Sequence, residues 1–158
     1  MGTPPLILES TIRFLGAYVP FAEMARRDLE FLAGRLQLAY FPVGTTIVDP
    51  GDGMARHLHI IQRGHVRVRN MAVAGDGGGR GAGECFPGAA LAAGSAGTRR
   101  FEATEDVFCY LLERADFDAL RRVSAPFADF CTEALAGIVQ HSLGQLRKNF
   151  TQRALEQQ

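Results

Sequence analysis

The stretch GECFPGAALAAGSAGTRRFEA, residues 83–103, decides how the chain is read. Gly83, Pro87 and Gly88 punctuate its start, and Ala89, Ala90, Leu91 and Ala92 follow as a short run of small, helix-compatible residues. Proline suits the first turn of a helix, and glycine lets a ligand approach the backbone. The first amide N–H groups of such a turn have no partner inside the helix, and the helix dipole favours negative charge there. A loop leads into Arg99, Arg100, Phe101, Glu102 and Ala103, which resume strand alternation. Arg99 shares the parity of Phe101 and Ala103, which are expected to face inward. An inward guanidinium needs a partner, because a buried unpaired charge is costly. That partner is either a ligand phosphate or a nearby carboxylate, Glu84 or Glu102. Arg100 has the opposite parity and is expected to be a solvated surface charge.

The flanks of this stretch are rich in short strands. Leu38, Tyr40 and Phe41 precede Pro42 and Gly44, and Thr45, Thr46, Ile47 and Val48 are β-rich. The DPGDG run at 49–53 is a turn by residue type. Leu58 and Ile60 alternate with His57, His59 and Gln62; after Gly64, Val66 and Val68 alternate with His65, Arg67 and Arg69. This pattern predicts a half-buried antiparallel hairpin with His57 and His59 on its wet face. The glycine-rich run 75–81 predicts a flexible hairpin loop, and the apolar run 107–112 a buried strand. Many short strands broken by Gly and Pro argue for a β-sandwich or barrel. Helices are expected over 6–18, 21–36 and 115–123, and a long one from Pro126. Along that last helix Phe127, Cys131, Ala134, Leu135, Ile138, Ser142, Leu146 and Phe150 form a one-sided stripe. Its first half is expected to be partly core, and Ile138 onward an interaction surface.

Composition sets the class. The 158 residues suit one domain, with 47% hydrophobic and 22% charged residues typical of a globular fold. Lys+Arg and Asp+Glu stand at 17 each, so no global charge favours nucleic acid or a membrane surface. The apolar runs are too short for a membrane span, and the first nine residues do not read as a signal peptide. Three cysteines, Cys85, Cys109 and Cys131, with no CxxC pair, fit buried thiols in a reducing cytoplasm.

Other motifs point nowhere specific. His57-x-His59 lacks the further ligands that a metal site needs, and surface histidines are the better reading. No Gly-Lys-Ser/Thr follows the glycine run, so it is not a phosphate loop. No nucleophile-base pair or paired carboxylates stand out, so no enzyme activity is expected. Arg67, Arg69 and Arg80 form a modest basic patch without interleaved aromatics, a weak basis for nucleic-acid binding.

Three spaced segments together resemble the cyclic-nucleotide-binding domain: FPVGTTIV at 41–48, HLHIIQRGHVRV at 57–68, and the 83–103 stretch, which is similar to that family's phosphate-binding cassette. The phrases at 36–42, 83–87 and 108–112 look closest to bacterial signalling proteins that place such a domain before a pair of CBS domains and a nucleotidyltransferase-like domain. The resemblance implies a mainly β, jelly-roll-like barrel with N-terminal helices and a long C-terminal helix. It divides the chain into a helical lead-in (1–20), the binding domain (21–123) and a C-terminal helix or linker (124–158). It also implies a regulatory sensor whose ligand contacts lie at Gly88, Ala89, Ala90, Leu91 and Arg99. In the family's register a ribose-binding glutamate falls on Gly88 and a phosphate-binding arginine on Gly97; a loop one or two residues longer seats Arg99 near the arginine's place. Weak or altered ligand binding is therefore expected. A cyclic-nucleotide effector is the ligand implied, with a different anionic ligand on the same turn as the alternative; no cofactor or metal is implied. Expected partners are a small anionic nucleotide, following domains of the same polypeptide and a second copy, without nucleic acid or membrane. The alternative is an interaction module that keeps the fold and works through its final helix as a dimeriser.

Overall fold

The computed structural model describes residues 5–71 and 76–137. Helices α1 (Pro5–Leu15) and α2 (Arg26–Arg35) precede the strands β1 (Gln37–Phe41), β2 (Thr46–Val48), β3 (His57–Arg63), β4 (Val66–Asn70), β5 (Asp76–Arg80) and β6 (Cys85–Phe86). The short helix α3 (Gly88–Ala93) leads to β7 (Arg99–Ala103), β8 (Val107–Glu113) and α4 (Arg114–Val123). A further helix, α5, runs over 125–137. The strands form two antiparallel four-stranded sheets, ordered β1-β8-β3-β6 and β2-β7-β4-β5. This is the expected β-sandwich of jelly-roll type with flanking helices.

Two apolar layers hold it together. Between the sheets lie Ile61, Val66, Val68, Phe86, Phe101, Ala103, Val107 and Cys109. On the other side of the first sheet, Leu58, Ile60 and Leu112 join Ile12, Leu15, Leu32, Phe117, Leu120 and Phe127 from the helices. In α1, Thr11, Ile12 and Leu15 are buried, spaced so that one stripe meets the sheet.

The structure corrects several expectations. Residues 21–36 are not one helix. A 3₁₀ turn, Phe21–Glu23, is separated from α2 by an extended Met24 and Ala25. Met24 and Leu29 are five positions apart, which a continuous helix would put on different faces; the break lets both reach the core.

β3 and β4 do not form a hairpin. β3 pairs with β8 and β6 in one sheet, and β4 pairs with β7 and β5 in the other. Gly64, at φ +107°, carries the chain across; a Cβ there would meet the Asp106 carbonyl oxygen at 2.5 Å. Because helices cover the outer face of its sheet, β3 is buried on both sides. His59 is therefore a core residue, 8% exposed, instead of a surface one, and His57 is half-buried.

The glycine run forms a strand, β5, where a flexible loop was expected. A Cβ at Gly79 would strike the His65 ring and one at Gly77 the Val68 carbonyl oxygen, so these positions need a missing side chain to lie so close. Arg100 is not merely solvated. Its Nε donates to Asp49 Oδ2 at 2.8 Å, and Glu102 lies 3.9 Å from its Nη1. It ties β7 to the turn after β2, where Asp49 also accepts from the Gly51 N–H at 2.8 Å. Ile138, Ser142, Leu146 and Phe150 lie outside the described residues.

Candidate ligand-binding site

A cavity of about 470 Å³ opens beside α3, within the range of small-molecule sites. Its floor begins in β6. The Phe86 ring lies between His59 (centroids 4.9 Å apart, nearly parallel) and Phe101 (4.7 Å). This three-ring stack runs from β3 through β6 to β7, and Phe86 and Phe101 both line the cavity. β6 is positioned by Gly83, whose N–H donates to the Ile61 carbonyl at 2.7 Å. The Tyr18 ring fills the place where a side chain at Gly83 would stand.

Pro87 then caps α3 without a side-chain hydrogen bond. The first helical bond is Leu91 N–H to the Pro87 carbonyl at 3.1 Å, so the N–H groups of Gly88, Ala89 and Ala90 have no carbonyl within the helix. Gly94, at φ +68°, closes α3 in the left-handed conformation, and Ser95 N–H donates back to the Ala90 carbonyl at 2.9 Å. Gly97, at φ +70°, lies so close that a Cβ would meet the Ala90 methyl at 3.1 Å. The helix and the start of β7 are thus folded tightly together, which brings Arg99 to the cavity wall.

Of the residues singled out from the sequence, Gly88, Ala89, Ala90 and Arg99 line this one cavity. Leu91 does not; it is 1% exposed and packs in the helical core, anchoring α3 from beneath. Arg99 is half-buried, and among the described residues it has no carboxylate within 4.0 Å. Neither sequence-proposed partner takes it: Glu102 lies beside Arg69 and Arg100, and Glu84 lies beside Arg80. Burial first, and the neighbouring Arg80 second, lower the Arg99 pKa. Glu84 instead has a structural task, accepting from the Gly81 N–H at 3.1 Å.

Sequence reasoning missed several lining residues: Tyr18, Val19, Arg80, Cys85 and Phe130. Arg80 was hidden because its glycine neighbours read as a loop, which has no facing rule. Phe130 carried a signal, lying three residues after Phe127 on the same helical side. A Cβ at Gly88 would come within 3.8 Å of the Phe130 ring and 3.9 Å of the Ala134 methyl, so α5 rests on the first residue of α3. At the other end of α3, Arg121 of α4 donates to the Ala92 carbonyl at 3.2 Å. The three thiols are free, and burial raises the pKa of each, to about 12 for Cys109 and about 11 for Cys131.

The fold that carries this cavity is shared with solved regulatory domains of protein kinase A and with a catabolite activator protein. No family model and no curated protein matches the chain in sequence. Among solved structures, the regulatory domain of Toxoplasma gondii PKA with cAMP is similar at TM-score 0.74 and 18% identity, over 84% of this chain and 51% of that one. The regulatory subunit of a cAMP-independent protein kinase A from Trypanosoma cruzi, bound to guanosine, is similar at TM-score 0.71 and 19% identity, over 87% and 51%. The Thermus thermophilus catabolite activator protein is similar at TM-score 0.57 and 20% identity, over 82% and 60%. The chain spans about half the length of the first two. Among the described residues, no helix is long and apolar enough to cross a membrane.

Proposed function

We propose that the chain is a regulatory sensor module that binds a small anionic nucleotide in the cavity beside α3. The observation that carries this reading is Arg99, a half-buried guanidinium on the cavity wall with no carboxylate within reach among the described residues. Beside it, the amides of Gly88, Ala89 and Ala90 offer donors to phosphate oxygens. Gly88 and Ala90 are ligand contacts through their backbone; Leu91 contributes only by holding the turn. With glycine where the resemblance places the ribose-binding glutamate, cyclic AMP binds weakly. α5 reads the site, since Phe130 and Ala134 line the cavity from 125–137, and a ligand that contacts them shifts the helix between positions.

The module serves a cytoplasmic bacterial signal-transduction protein in which CBS and nucleotidyltransferase-like domains follow it. Residues 21–123 form the body of the binding unit, and the lead-in 1–20 and lead-out 124–158 complete its cavity wall through Tyr18, Val19, Phe130 and Ala134. It regulates and does not catalyse. A second reading, a ligand-free interaction module that dimerises through its last helix, draws support from Gly88 itself: the residue that lost the ribose contact is the seat of α5.

The test is calorimetry with cyclic AMP, cyclic GMP and cyclic dinucleotides on the wild type and on Arg99→Ala. Saturable binding is expected, with the variant weaker by about ten-fold or more, the worth of a charged hydrogen bond. Binding untouched by the substitution rejects Arg99 as the phosphate contact. No binding of these or of 5′-mononucleotides, together with a dimer in sedimentation that dissociates when the final helix is removed, establishes the second reading.

A further inference from the structure

Arg99 is not the only guanidinium at the cavity; Arg80 lines it as well. Arg80 ends β5 opposite Val66 of β4, and Arg99 opens β7 opposite Asn70 of the same strand. Val66, Val68 and Asn70 share one parity, and the two valines are buried between the sheets. The register therefore turns both arginines to the interior side of this sheet, from strands on either side of β4.

The carboxylate lining the same cavity is that of Glu84. It is committed elsewhere: its Oε1 accepts from the Gly81 N–H at 3.1 Å, and its Oε2 stands 3.9 Å from Arg80 Nε. The Glu84 side chain is 56% exposed, and so loose a surface pair neutralises little. Arg80 also donates from Nη1 to the Gly79 carbonyl at 2.9 Å, which holds its side chain while leaving other N–H groups of its fork for a ligand. The like charges are felt: Arg80 is one of the two causes that lower the Arg99 pKa.

We infer that the cavity takes a nucleotide with a terminal phosphate monoester in preference to a cyclic phosphodiester, with Arg80 and Arg99 both meeting its phosphate oxygens. This deepens the proposed nucleotide reading and rests on it. A cyclic diester carries one negative charge on two free oxygens. A monoester carries close to two charges near neutral pH and presents three acceptor oxygens. Two guanidinium forks reaching one cavity from different strands match the second arrangement in both charge and oxygen count.

The experiment is a calorimetric series at fixed salt with adenosine, cyclic AMP and 5′-AMP, and with guanosine, cyclic GMP and 5′-GMP. For the base that binds better, the 5′-monophosphate is expected to bind about ten-fold more tightly than the cyclic form. Arg80→Gln should bring the two within about two-fold, while Arg80→Lys keeps part of the preference because it keeps the charge. Thermal melts of both variants confirm that they are folded. A cyclic form that binds as tightly as the monoester, or a preference that survives Arg80→Gln, overturns the inference and leaves the sensor reading standing. Failure of every nucleotide to bind overturns both.

Discussion

Replacing Phe86 by alanine is expected to cost about 3–5 kcal/mol of stability, the range for deleting a buried aromatic ring. The ring is 1% exposed and is the middle member of the stack that joins the two sheets. Its loss removes the contacts with both His59 and Phe101 and opens a void beneath the cavity floor. Because β6 has only two residues and pairs solely with β3 among the described strands, little else holds that floor. Urea unfolding measures the effect as a lowered midpoint at unchanged slope. Phe86→Leu keeps much of the volume and should cost clearly less. A Phe86→Ala variant within about 1 kcal/mol of wild type would mean that the stack is not part of the core.

Stability should also fall on mild acidification, through His59. Burial, and secondarily the nearby His57, lower its pKa from 6.5 to about 4. Its Nδ1 has no hydrogen-bond partner within bonding geometry among the described residues, and the nearby backbone of Phe86 and His57, which favours the charged ring, offsets burial only in part. The unfolded chain takes up that proton below pH 6.5 and the folded chain does not until about pH 4. Unfolding therefore binds protons in this window. The contribution is fully present above pH 6.5 and is lost as pH falls towards 4, a total of about 3 kcal/mol. Asp49 acts in a separate, more acidic window. The Gly51 N–H, and then Arg100, hold its carboxyl below the usual value, so its contribution is lost only as pH falls below the ordinary carboxylate range. Unfolding free energies measured from pH 8 to 4 should show the His59 slope, and His59→Leu should flatten it. An unchanged slope in that variant would place the titration elsewhere.

The parts of the fold legible in the sequence were those governed by short-range chemistry. Pro87 and Gly88 mark the start of α3 and the small residues through Ala92 nearly all of its length, and the parity of Arg99 with Phe101 and Ala103 turns it inward on β7, where it lines the cavity. What alternation cannot supply is the partner or the covering layer. Val66 and Val68 alternate in the same way whether β4 pairs with β3 or lies in the opposite sheet. Alternation places His57 and His59 in solvent, because it presumes a single apolar face. In the structure Leu58 and Ile60 face the helices while His59 faces the space between the sheets, so both faces are dry. Arg80 escaped notice for a related reason: glycines in β5 are there to fit against His65 and Val68, a tertiary cause that composition alone reads as flexibility. The approach of α5 to Gly88 joins residues some forty positions apart and left no local trace.

Nucleotide phosphate seated between α3 and Arg99 would be reported by the backbone amides of those residues. Nitrogen–proton correlation spectra would be recorded while 5′-AMP and cyclic AMP are titrated into the protein. Saturable shifts are expected, concentrated at Gly88, Ala89, Ala90 and Arg99, with secondary changes at Phe130. Shifts that do not saturate, or that fall on the exposed outer side of β1 around Leu38 and Tyr40 while α3 stays silent, would contradict this seating of the phosphate.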